Sequence, residues 1–418
     1  MTSKSETPGE TGAKGEARLG ISSFDLLNLP ADFVPMAYEY FDGLRRESPI
    51  HANSDGSLIL TRYDDLVAAY RNPAVWSSDK KIDFQPKFGA SSLYEHHTTS
   101  VVFCDPPDHT RIRKLFQAAF TRKALSALVP RINGLVDGYL DQLEDRGQME
   151  VVGDFSFRLP MEVVCDMLGV PGSDRELIRD WALLILGALE PVLSEQQFKD
   201  GCAAVDSFKA YLRERVKERK ADPDGGRDGE ILAALIAAEE DGEKLTEIEL
   251  LHQCIFMLNA GHETSTNMIS HGIHEMLRHP VEIAKLRDDP TLIDGAVEEV
   301  LRYQAPIQIN NRRATQDTEL SGTAIPAGSV VHLMVGAANH DPGQFPSPAA
   351  FDISRRPNRH LSFGLGIHVC AGNTLARIEA QIAFGKLFQR FPNLRLEAPA
   401  TLSNRVRFRE VETLHVAI

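Results

Sequence analysis

A stretch near the middle of the chain has the pattern of one long, buried helix. Thr246 and Glu249 have the spacing of a capping box, in which each side chain bonds the other residue's backbone at a helix start. The helix is predicted to end before Pro280, because the residue ahead of a proline avoids helical geometry. It would hold about thirty residues and be on the order of 45 Å long. A helix of this length crosses a whole domain, so the rest of the chain must be arranged around it.

The middle of this helix, residues 259–266, is small and polar although its flanks are apolar. It reads Asn-Ala-Gly-His-Glu-Thr-Ser-Thr. Gly261 weakens a helix, and the Thr264 hydroxyl can bond to the carbonyl of Ala260 four residues earlier. Such a segment lets a flat ligand lie against the backbone, beside the acid of Glu263 and the alcohol of Thr264. The alternative is a surface kink, but the apolar flanks favour a function, because buried polar groups need partners.

A second unusual stretch, residues 363–372, is named the cysteine loop here and reads Phe-Gly-Leu-Gly-Ile-His-Val-Cys-Ala-Gly. Its glycines let the backbone turn sharply and approach a flat partner. A helical pattern follows Cys370 at once, and a helix N-terminus favours thiolate over thiol. A thiolate in such a loop is a soft ligand suited to iron. The alternative is a cysteine that only packs, and the loop alone does not decide between them.

Composition excludes several classes of function. The 418-residue chain has a net charge of −14, which argues against nucleic-acid binding. No apolar run approaches the roughly eighteen residues of a membrane span. The five cysteines form no CxxC pair, which excludes the usual zinc spacing and suits a reducing cytoplasm. Residues 1–20 are polar and are predicted to be a disordered tail, not a secretory signal.

Residues 77–104 show neither helical nor strand period. They are predicted to form a long irregular segment that packs over something apolar, because loops of this length in compact domains usually have a function. Its adjacent His96 and His97 diverge on any regular backbone, so a metal site there is not expected.

Two pairs of charged residues stand at helical spacing. His109 and Arg113 are four apart, so they share a helix face and could clamp an anion; the alternative is a solvated charged face. Glu299 and Arg302 are three apart, and the alternative there is a surface pair worth a few tenths of a kcal/mol.

These segments resemble the cytochrome P-450 haem-thiolate monooxygenases, specifically the soluble bacterial kind. The cysteine loop fits Phe-Gly-x-Gly-x-His-x-Cys-x-Gly at every fixed position, and residues 260–264 fit the oxygen-activation motif. Glu299-x-x-Arg302 fits the family's Glu-x-x-Arg helix, and residues 105–113 fit the helix that crosses the haem edge. The resemblance implies a mainly α fold, the cytochrome P-450 fold, with a smaller β-sheet region, and residues 21–418 as a single domain.

The resemblance also implies haem b as cofactor and O2 as co-substrate. Cys370 would be the metal ligand, as a thiolate on the iron. The other residues predicted to contact the haem are His109, Arg113, Ala260, Arg312, His360, Phe363, Gly364 and Gly372. The four cationic side chains among them would pair with the propionates, and Arg313 stays open as an alternative to Arg312.

Further roles follow from the same resemblance. Glu263 and Thr264 would be the catalytic acid–alcohol pair, with Glu263 where many relatives carry Asp. Glu299, Arg302 and Arg355 would lock the core. The predicted substrate pocket is lined by Ile82, Phe84, Phe88, Leu93, Leu258, Asn259, Ile307, Ile309 and Phe408. Nearby polar residues hint at a substrate with an oxygen function or a carboxylate: Gln308, Asn310 and Arg407.

The function implied is hydroxylation, the insertion of one oxygen atom from O2 into a small organic substrate. A ferredoxin-type electron donor with its reductase would supply electrons and would dock on a patch that includes Arg111, Lys114 and Arg377. The enzyme would be a cytoplasmic monomer without nucleic-acid or membrane partners. A peroxide-dependent peroxygenase is one alternative, although such relatives usually lack the acid–alcohol pair. A non-enzymatic haem-based sensor is another, although nothing resembles a signalling or DNA-binding appendage.

Overall fold

Helices dominate the structure, a computed structural model that describes residues 20–222, 231–240 and 245–418. All but one residue of the predicted tail, residues 1–20, lies outside the described residues. The α-helices of the described chain are, in order, α1 (Ala37–Glu47), α2 (Tyr63–Arg71), α3 (Lys81–Phe88), α4 (Ser92–Thr99), α5 (Asp108–Ala119), α6 (Arg122–Leu143), α7 (Arg158–Met167), α8 (Arg175–Gly187), α9 (Glu195–Ala221), α10 (Ile231–Glu240), α11 (Glu247–Arg278), α12 (Pro280–Asp288), α13 (Ile293–Tyr303), α14 (Val335–Ala338) and α15 (Asn373–Arg390). None of them is long and apolar enough to cross a bilayer.

Short strands form the smaller β region. They are β1 (Ile50–Ala52), β2 (Leu58–Leu60), β3 (Trp76–Ser77), β4 (Gln148–Glu150), β5 (Ile309–Ala314), β6 (Thr318–Leu320), β7 (Thr323–Ile325), β8 (Val330–Met334), β9 (Arg395–Leu396), β10 (Thr401–Leu402), β11 (Val411–Thr413) and β12 (His415–Ala417). The largest sheet has the order β1-β2-β8-β5-β3, in which only β2 and β8 are parallel. The others are β4-β12-β9, β6-β7 and the β10-β11 hairpin. The mainly α prediction with a smaller β region is confirmed.

The predicted central helix is α11, and its start is confirmed in atomic detail. Thr246 accepts a hydrogen bond from the backbone N–H of Glu249, and the Glu249 carboxylate accepts one from the backbone N–H of Thr246. The helix has 32 residues, 22 of them buried, and packs against α7, α8, α9, α13 and α15. Its length and burial explain why the functional segments meet at its middle.

Close packing of α11 on α15 fixes the cysteine loop against the central helix. A Cβ on Gly272 of α11 would lie 2.2 Å from the ring of Phe384 of α15, a distance that real side chains do not reach. Because α15 begins at Asn373, directly after the loop, this contact helps to determine the position of Cys370 along the axis of α11.

The predicted irregular segment 77–104 is instead two short helices and a turn. They are α3, α4 and the 3₁₀ turn Val101–Phe103. Pro86 within α3 and Gly89 after it conceal the helical period, and Ser91 caps α4 by accepting from the backbone N–H of Tyr94. The prediction of an irregular backbone was therefore wrong, whereas the expected apolar packing is confirmed by the burial of Phe84 in the main core.

Candidate active site

A cavity of about 300 Å³ lies between the cysteine loop and the polar middle of α11. Its further walls come from α4 and the turn after it, from α5, from β5 and from the turn between β10 and β11. The size and mixed lining suit an organic ligand. The segments that the sequence singled out separately therefore meet at one site.

The glycines of the cysteine loop allow its tight turn. Gly364 and Gly366 have φ values of +66° and +75°, a region that side chains rarely adopt. A Cβ on Gly366 would also lie 2.4 Å from the carbonyl oxygen of Tyr70. The turn closes where the backbone N–H of Cys370 donates to the carbonyl of Phe363 over 2.9 Å. Both Cys370 and Phe363 consequently line the cavity.

Cys370 sits between two opposing electrostatic effects. Burial raises the pKa of its thiol, while a hydrogen bond from the Gly372 backbone and the charges of Arg113 and Arg377 lower it. The effect of burial is the larger one, so the pKa of Cys370 is raised and its side chain is a thiol when no metal is bound. A metal ion that binds the sulfur would displace this proton, because thiolate is the ligand form.

A wall of hydrogen-bond donors stands beside Cys370 and is called the cationic wall here because two of its members are arginines. It consists of His109, Arg113, Arg312 and His368, all of which line the cavity. The two imidazole rings lie 4.2 Å apart, and the Nε2 atom of each is buried with no hydrogen-bond partner among the described residues. Burial, followed by the neighbouring cations, lowers the pKa of His368 to about 2, so its ring is neutral. Such a group of donors fits an anionic ligand.

The structure places one of the two candidate arginines in the cavity. Arg312 lies over the ring of Tyr70, with 5.4 Å between the guanidinium carbon and the ring centre, and lines the cavity. Arg313 instead pairs with Asp83 and does not line it. Strand alternation explains the difference, because successive side chains of β5 point to opposite faces.

His360, predicted to contact a propionate, does not reach the cavity. Its Nε2 lies 3.1 Å from the carboxylate of Glu298, which also accepts from Arg377. Despite burial, hydrogen bonds from Arg377 and His360 hold the pKa of Glu298 down to about 2. His368 stands in the cavity wall in its place. The signal was present in the sequence, since His368 is the histidine of the cysteine-loop motif, but no role was predicted for it.

These observations fit the predicted haem. Gly372 lines the cavity, and a Cβ on it would meet no atom within 4 Å, so the loop faces open space there. The cavity also presents a buried thiol and the two unpartnered imidazole nitrogens of His109 and His368. An iron porphyrin with two propionates would satisfy all three features.

The acid–alcohol pair of α11 divides between two environments. Thr264 lines the cavity, and its hydroxyl donates to the carbonyl of Ala260 over 2.7 Å, as predicted. Glu263 is buried but is directed to Arg405, which donates a hydrogen bond to its carboxylate. Burial raises the pKa of Glu263 to about 7 although Arg405 opposes the shift. Arg405 lies 142 residues after Glu263 in the sequence, and its contact with Glu263 was not predicted.

A second buried acid faces the cavity from α15. Glu379 lines the cavity and interacts with Ser265 of α11. Burial raises the pKa of Glu379 to about 8, so its carboxyl is mostly protonated at neutral pH. Nothing in its local sequence marked it.

Three residues of the predicted substrate pocket lie in the cavity wall: Asn259, Ile307 and Phe408. Both amide atoms of Asn259 are buried and have no partner in the part of the chain that the structure describes, which fits a polar group in the cavity. Arg407 and Asn310, noted for their polarity, also line it, whereas Gln308 does not. From the segment 77–104 the wall instead contains His96, His97, Val101, Val102 and Phe103.

The other predicted pocket residues do not line the cavity: Ile82, Phe84, Phe88, Leu93, Leu258 and Ile309. Ile82 is 69% exposed at the surface. Phe84 and Phe88 pack behind His97, with ring centres 5.7 and 5.4 Å from it. Leu93 meets Gly201 of α9 instead.

Periodicity accounts for the last two of these corrections. Leu258 precedes the cavity-facing Asn259 on a helix, and Ile309 precedes the cavity-facing Asn310 on a strand. Neighbouring side chains diverge in both elements. Ile309 accordingly packs in a separate buried cluster with Phe41 and Met334.

Glu299, Arg302 and Arg355 form one buried network. The Nε and Nη2 atoms of Arg302 each donate to the Glu299 carboxylate over 2.8 Å. The Nε of Arg355 donates to the same carboxylate over 3.2 Å. Arg302 also donates to three backbone carbonyls of the segment before the cysteine loop. The pair is thus no surface pair, and it ties α13 to that segment.

Comparisons with known proteins show which family this chain resembles. A family model described as Cytochrome P450 matches residues 57–398. Cytochrome P450 CYP107DY1 of Priestia megaterium is 38% identical over 374 residues, covering 86% of this chain and 88% of that protein. The biotin biosynthesis cytochrome P450 of Bacillus subtilis is 37% identical, covering 88% of this chain and 92% of that protein.

A solved structure shows the same fold. P450BioI, determined in complex with an acyl carrier protein ligated to hexadec-9Z-enoic acid, aligns with a TM-score of 0.87 at 36% identity. The alignment covers 93% of this chain and all of that one.

Proposed function

Because the chain belongs to the cytochrome P450 family, we propose that it hydroxylates a largely apolar organic substrate held between Cys370 and the polar middle of α11. It is a haem b monooxygenase that uses O2 and takes electrons from a redox partner. The observation that supports this site assignment best is the cavity itself, which joins a thiol, a cationic wall and the Thr264 hydroxyl.

The chain's own residues account for cofactor binding. Cys370 would hold the iron, and His109, Arg113, Arg312 and His368 would hold the propionates. When bound, haem b supplies O2 activation, and a thiolate ligand favours cleavage of the O–O bond. The cationic wall has no carboxylate among its hydrogen-bond partners in the described chain, so it remains available for the propionates.

Thr264 and Glu263 would control the protons. The Thr264 hydroxyl is tied to Ala260 through its hydrogen, which leaves its oxygen lone pairs free to accept a bond in the cavity. Glu263, with a pKa of about 7, is populated in both protonation states near neutral pH. Arg405 also contacts Glu410, 3.4 Å away and 27% exposed, so ionisable groups lead from the surface to Glu263. A group poised in this way can take up and release protons at the working pH.

The electron donor would be of the ferredoxin type. Of the three residues of the predicted docking patch, Arg111 pairs with Glu249 and Arg377 with Glu298. Lys114 is exposed on α5, the helix that carries Arg113 into the cavity. Lys114→Glu therefore reverses a charge at an exposed position of this face.

That variant should slow reduction by a ferredoxin and leave peroxide-driven turnover unchanged. Lys199→Glu, an equal charge reversal on α9, is the matched control and should change neither. Equal losses in both assays would reject this docking face. We extend the proposal to a cytoplasmic monomer, whose five unpaired thiols suit a reducing compartment.

Oxygen labelling tests the proposed reaction. Substrates found by their displacement of water from the haem iron are turned over under isotopically labelled O2, and the product is analysed by mass spectrometry. One labelled atom per product molecule is expected. A product without label would contradict hydroxylation from O2.

The peroxygenase alternative is separated by Thr264→Ala. In a monooxygenase this change should uncouple O2 consumption from product formation, while peroxide-driven turnover survives. An enzyme that makes product from peroxide alone, and none from O2 with its electron donor, would favour the alternative.

A further inference from the structure

The cavity contains a second cationic group, separate from the wall beside Cys370. Arg407, in the turn between β10 and β11, lines the cavity. Its Nε donates to the carbonyl of Leu189 over 3.2 Å and its Nη1 to the carbonyl of Ile309 over 3.0 Å. Its Nη2 has no hydrogen-bond partner within the described chain. The guanidinium is thus oriented by two backbone groups while part of it stays available.

The positive charge of Arg407 is not balanced locally. Its side chain forms no ion pair with a described carboxylate. Glu190 accepts from the Arg407 backbone N–H, but its ion pair is with Arg405. Lys87 donates to the backbone carbonyl of Glu190 over 2.6 Å, and no other hydrogen bond of its ammonium is found among the described residues. Burial and then the charge of Arg407 lower the pKa of Lys87 to about 8.

Two polar side chains of the same cavity have buried atoms with no hydrogen-bond partner within the described residues. His97 is 2% exposed, and its Nε2 has none. Burial, and then nearby cations that include Arg407, lower its pKa to about 3, so the ring is neutral and can donate one N–H. Asn259 is 1% exposed, with both amide atoms unpaired. Buried groups of this kind are costly unless a ligand or water satisfies them.

The cavity lining also has many apolar side chains. It includes Val101, Phe103, Leu186, Phe256, Met257 and Phe408. A ligand that satisfies both parts has an anionic end and an apolar body. The anionic end must contact one guanidinium group and one imidazole N–H at the same time. A carboxylate is small enough to do so.

We propose that the substrate is an apolar carboxylic acid, whose carboxylate pairs with Arg407 and accepts a hydrogen bond from His97. This proposal rests on the proposed function and names its substrate class. Arg407 and His97 are specificity-determining residues in this account, and neither takes part in oxygen chemistry. The acid would enter with its charge directed to the β10–β11 turn and its apolar chain along α11.

Binding to the haem-loaded enzyme tests the proposal through the spin-state shift of the haem. Dodecanoate is compared with dodecan-1-ol and methyl dodecanoate, which share its chain and lack its charge. Wild type is expected to bind dodecanoate at least about tenfold more tightly than either neutral probe. Equal affinities, a preference for the neutral probes or no shift with dodecanoate would overturn the proposal.

Variants then assign the effect to the named residues. Arg407→Gln should weaken dodecanoate binding at least about tenfold and leave dodecan-1-ol unchanged. Arg407→Lys keeps the positive charge and should restore part of the preference for dodecanoate over dodecan-1-ol. His97→Phe keeps the ring that packs among Phe84, Phe88 and Phe103 but removes the N–H, so it should weaken only the acid. Arg409→Gln, in the same turn but outside the cavity wall, is the control.

Two outcomes separate this proposal from its premise. Haem loss in Arg407→Gln would mean that Arg407 holds a propionate, and an equal loss of acid and alcohol binding would mean a structural role; either overturns the proposal. The reduced carbon-monoxide spectrum of each preparation reports on the haem-thiolate assignment independently. A normal thiolate spectrum without acid preference would contradict the substrate class alone.

Discussion

Arg405, in the turn between β10 and β11, donates a hydrogen bond to the buried carboxylate of Glu263 on α11. The same guanidinium contacts Glu190 and Glu410, so three acids share one cation. The proposed catalytic acid, Glu263, is thereby connected to the surface through residues distant from it in sequence.

Arg405→Gln is expected to shift the pH dependence of coupled turnover to higher pH. Burial raises the pKa of Glu263 to about 7 and Arg405 opposes that shift, so losing its charge raises the pKa further. If protonated Glu263 supplies protons, the fraction of consumed O2 that ends in product falls as pH rises through this pKa. That fraction is measured between about pH 5.5 and 9. Arg409→Gln should leave the midpoint unchanged, and an unchanged midpoint in Arg405→Gln would contradict the proton role.

Glu379→Gln should stabilise the protein at alkaline pH and have little effect in acid. Burial raises the pKa of Glu379 from 4.5 to about 8, so the folded state keeps a proton that the unfolded state loses. Stability therefore falls as pH rises from about 4.5 to about 8, by about 1.4 kcal/mol per pH unit at most, and glutamine removes this loss. Urea unfolding at pH 5 and pH 9 measures the difference. A variant equally stabilised at both pH values would mean that the gain does not come from this proton.

Gly366→Ala should damage the cysteine loop more than Gly364→Ala. Both residues have positive φ, which costs a side chain about 1–2 kcal/mol. Only Gly366 adds a clash, since its Cβ would lie 2.4 Å from the Tyr70 carbonyl, whereas the nearest atom to a Gly364 Cβ is 3.8 Å away. Haem content after purification and the melting temperature check the order. Equal losses in the two variants would show that the contact with Tyr70 is unimportant.

Arg302→Leu should be far more destabilising than the loss of a surface ion pair. Arg302 is fully buried and donates to Glu299 and to three backbone carbonyls, so its loss leaves a buried carboxylate short of a partner. The expected cost is about 3–5 kcal/mol, against 0–1 kcal/mol for a surface pair. Arg46→Leu removes such a surface pair, with Asp42, and serves as the control. Similar unfolding midpoints for Arg302→Leu and Arg46→Leu would contradict a buried locking role.

The central helix and the cysteine loop were predictable because their signals are local. A capping box, a following proline and a spaced set of glycines each determine the backbone conformation of residues close to them in sequence. The two helices of residues 77–104 were missed because Pro86 and Gly89 interrupt a period that has only eight residues in each helix. Their existence depends on burial against the core more than on their own pattern.

Pairings across the fold were not predictable in the same way. His360 and His368 stand eight residues apart, and the turn at Gly364 and Gly366 decides which one faces the cavity. Glu263 and Arg405 meet only because the β10–β11 turn lies against α11, a tertiary contact without a local signal. The same holds for Arg407 and His97, which come from segments about three hundred residues apart.

The reduced carbon-monoxide spectrum of wild type and of Cys370→Ser tests the central claim most directly. Wild type is expected to absorb at the position characteristic of thiolate-ligated haem, and Cys370→Ser to lose that band together with monooxygenase activity. Cys202→Ser, on α9 outside the cavity wall, should keep both. A wild-type protein that binds no haem, or a Cys370→Ser protein that retains the thiolate band, would contradict the account.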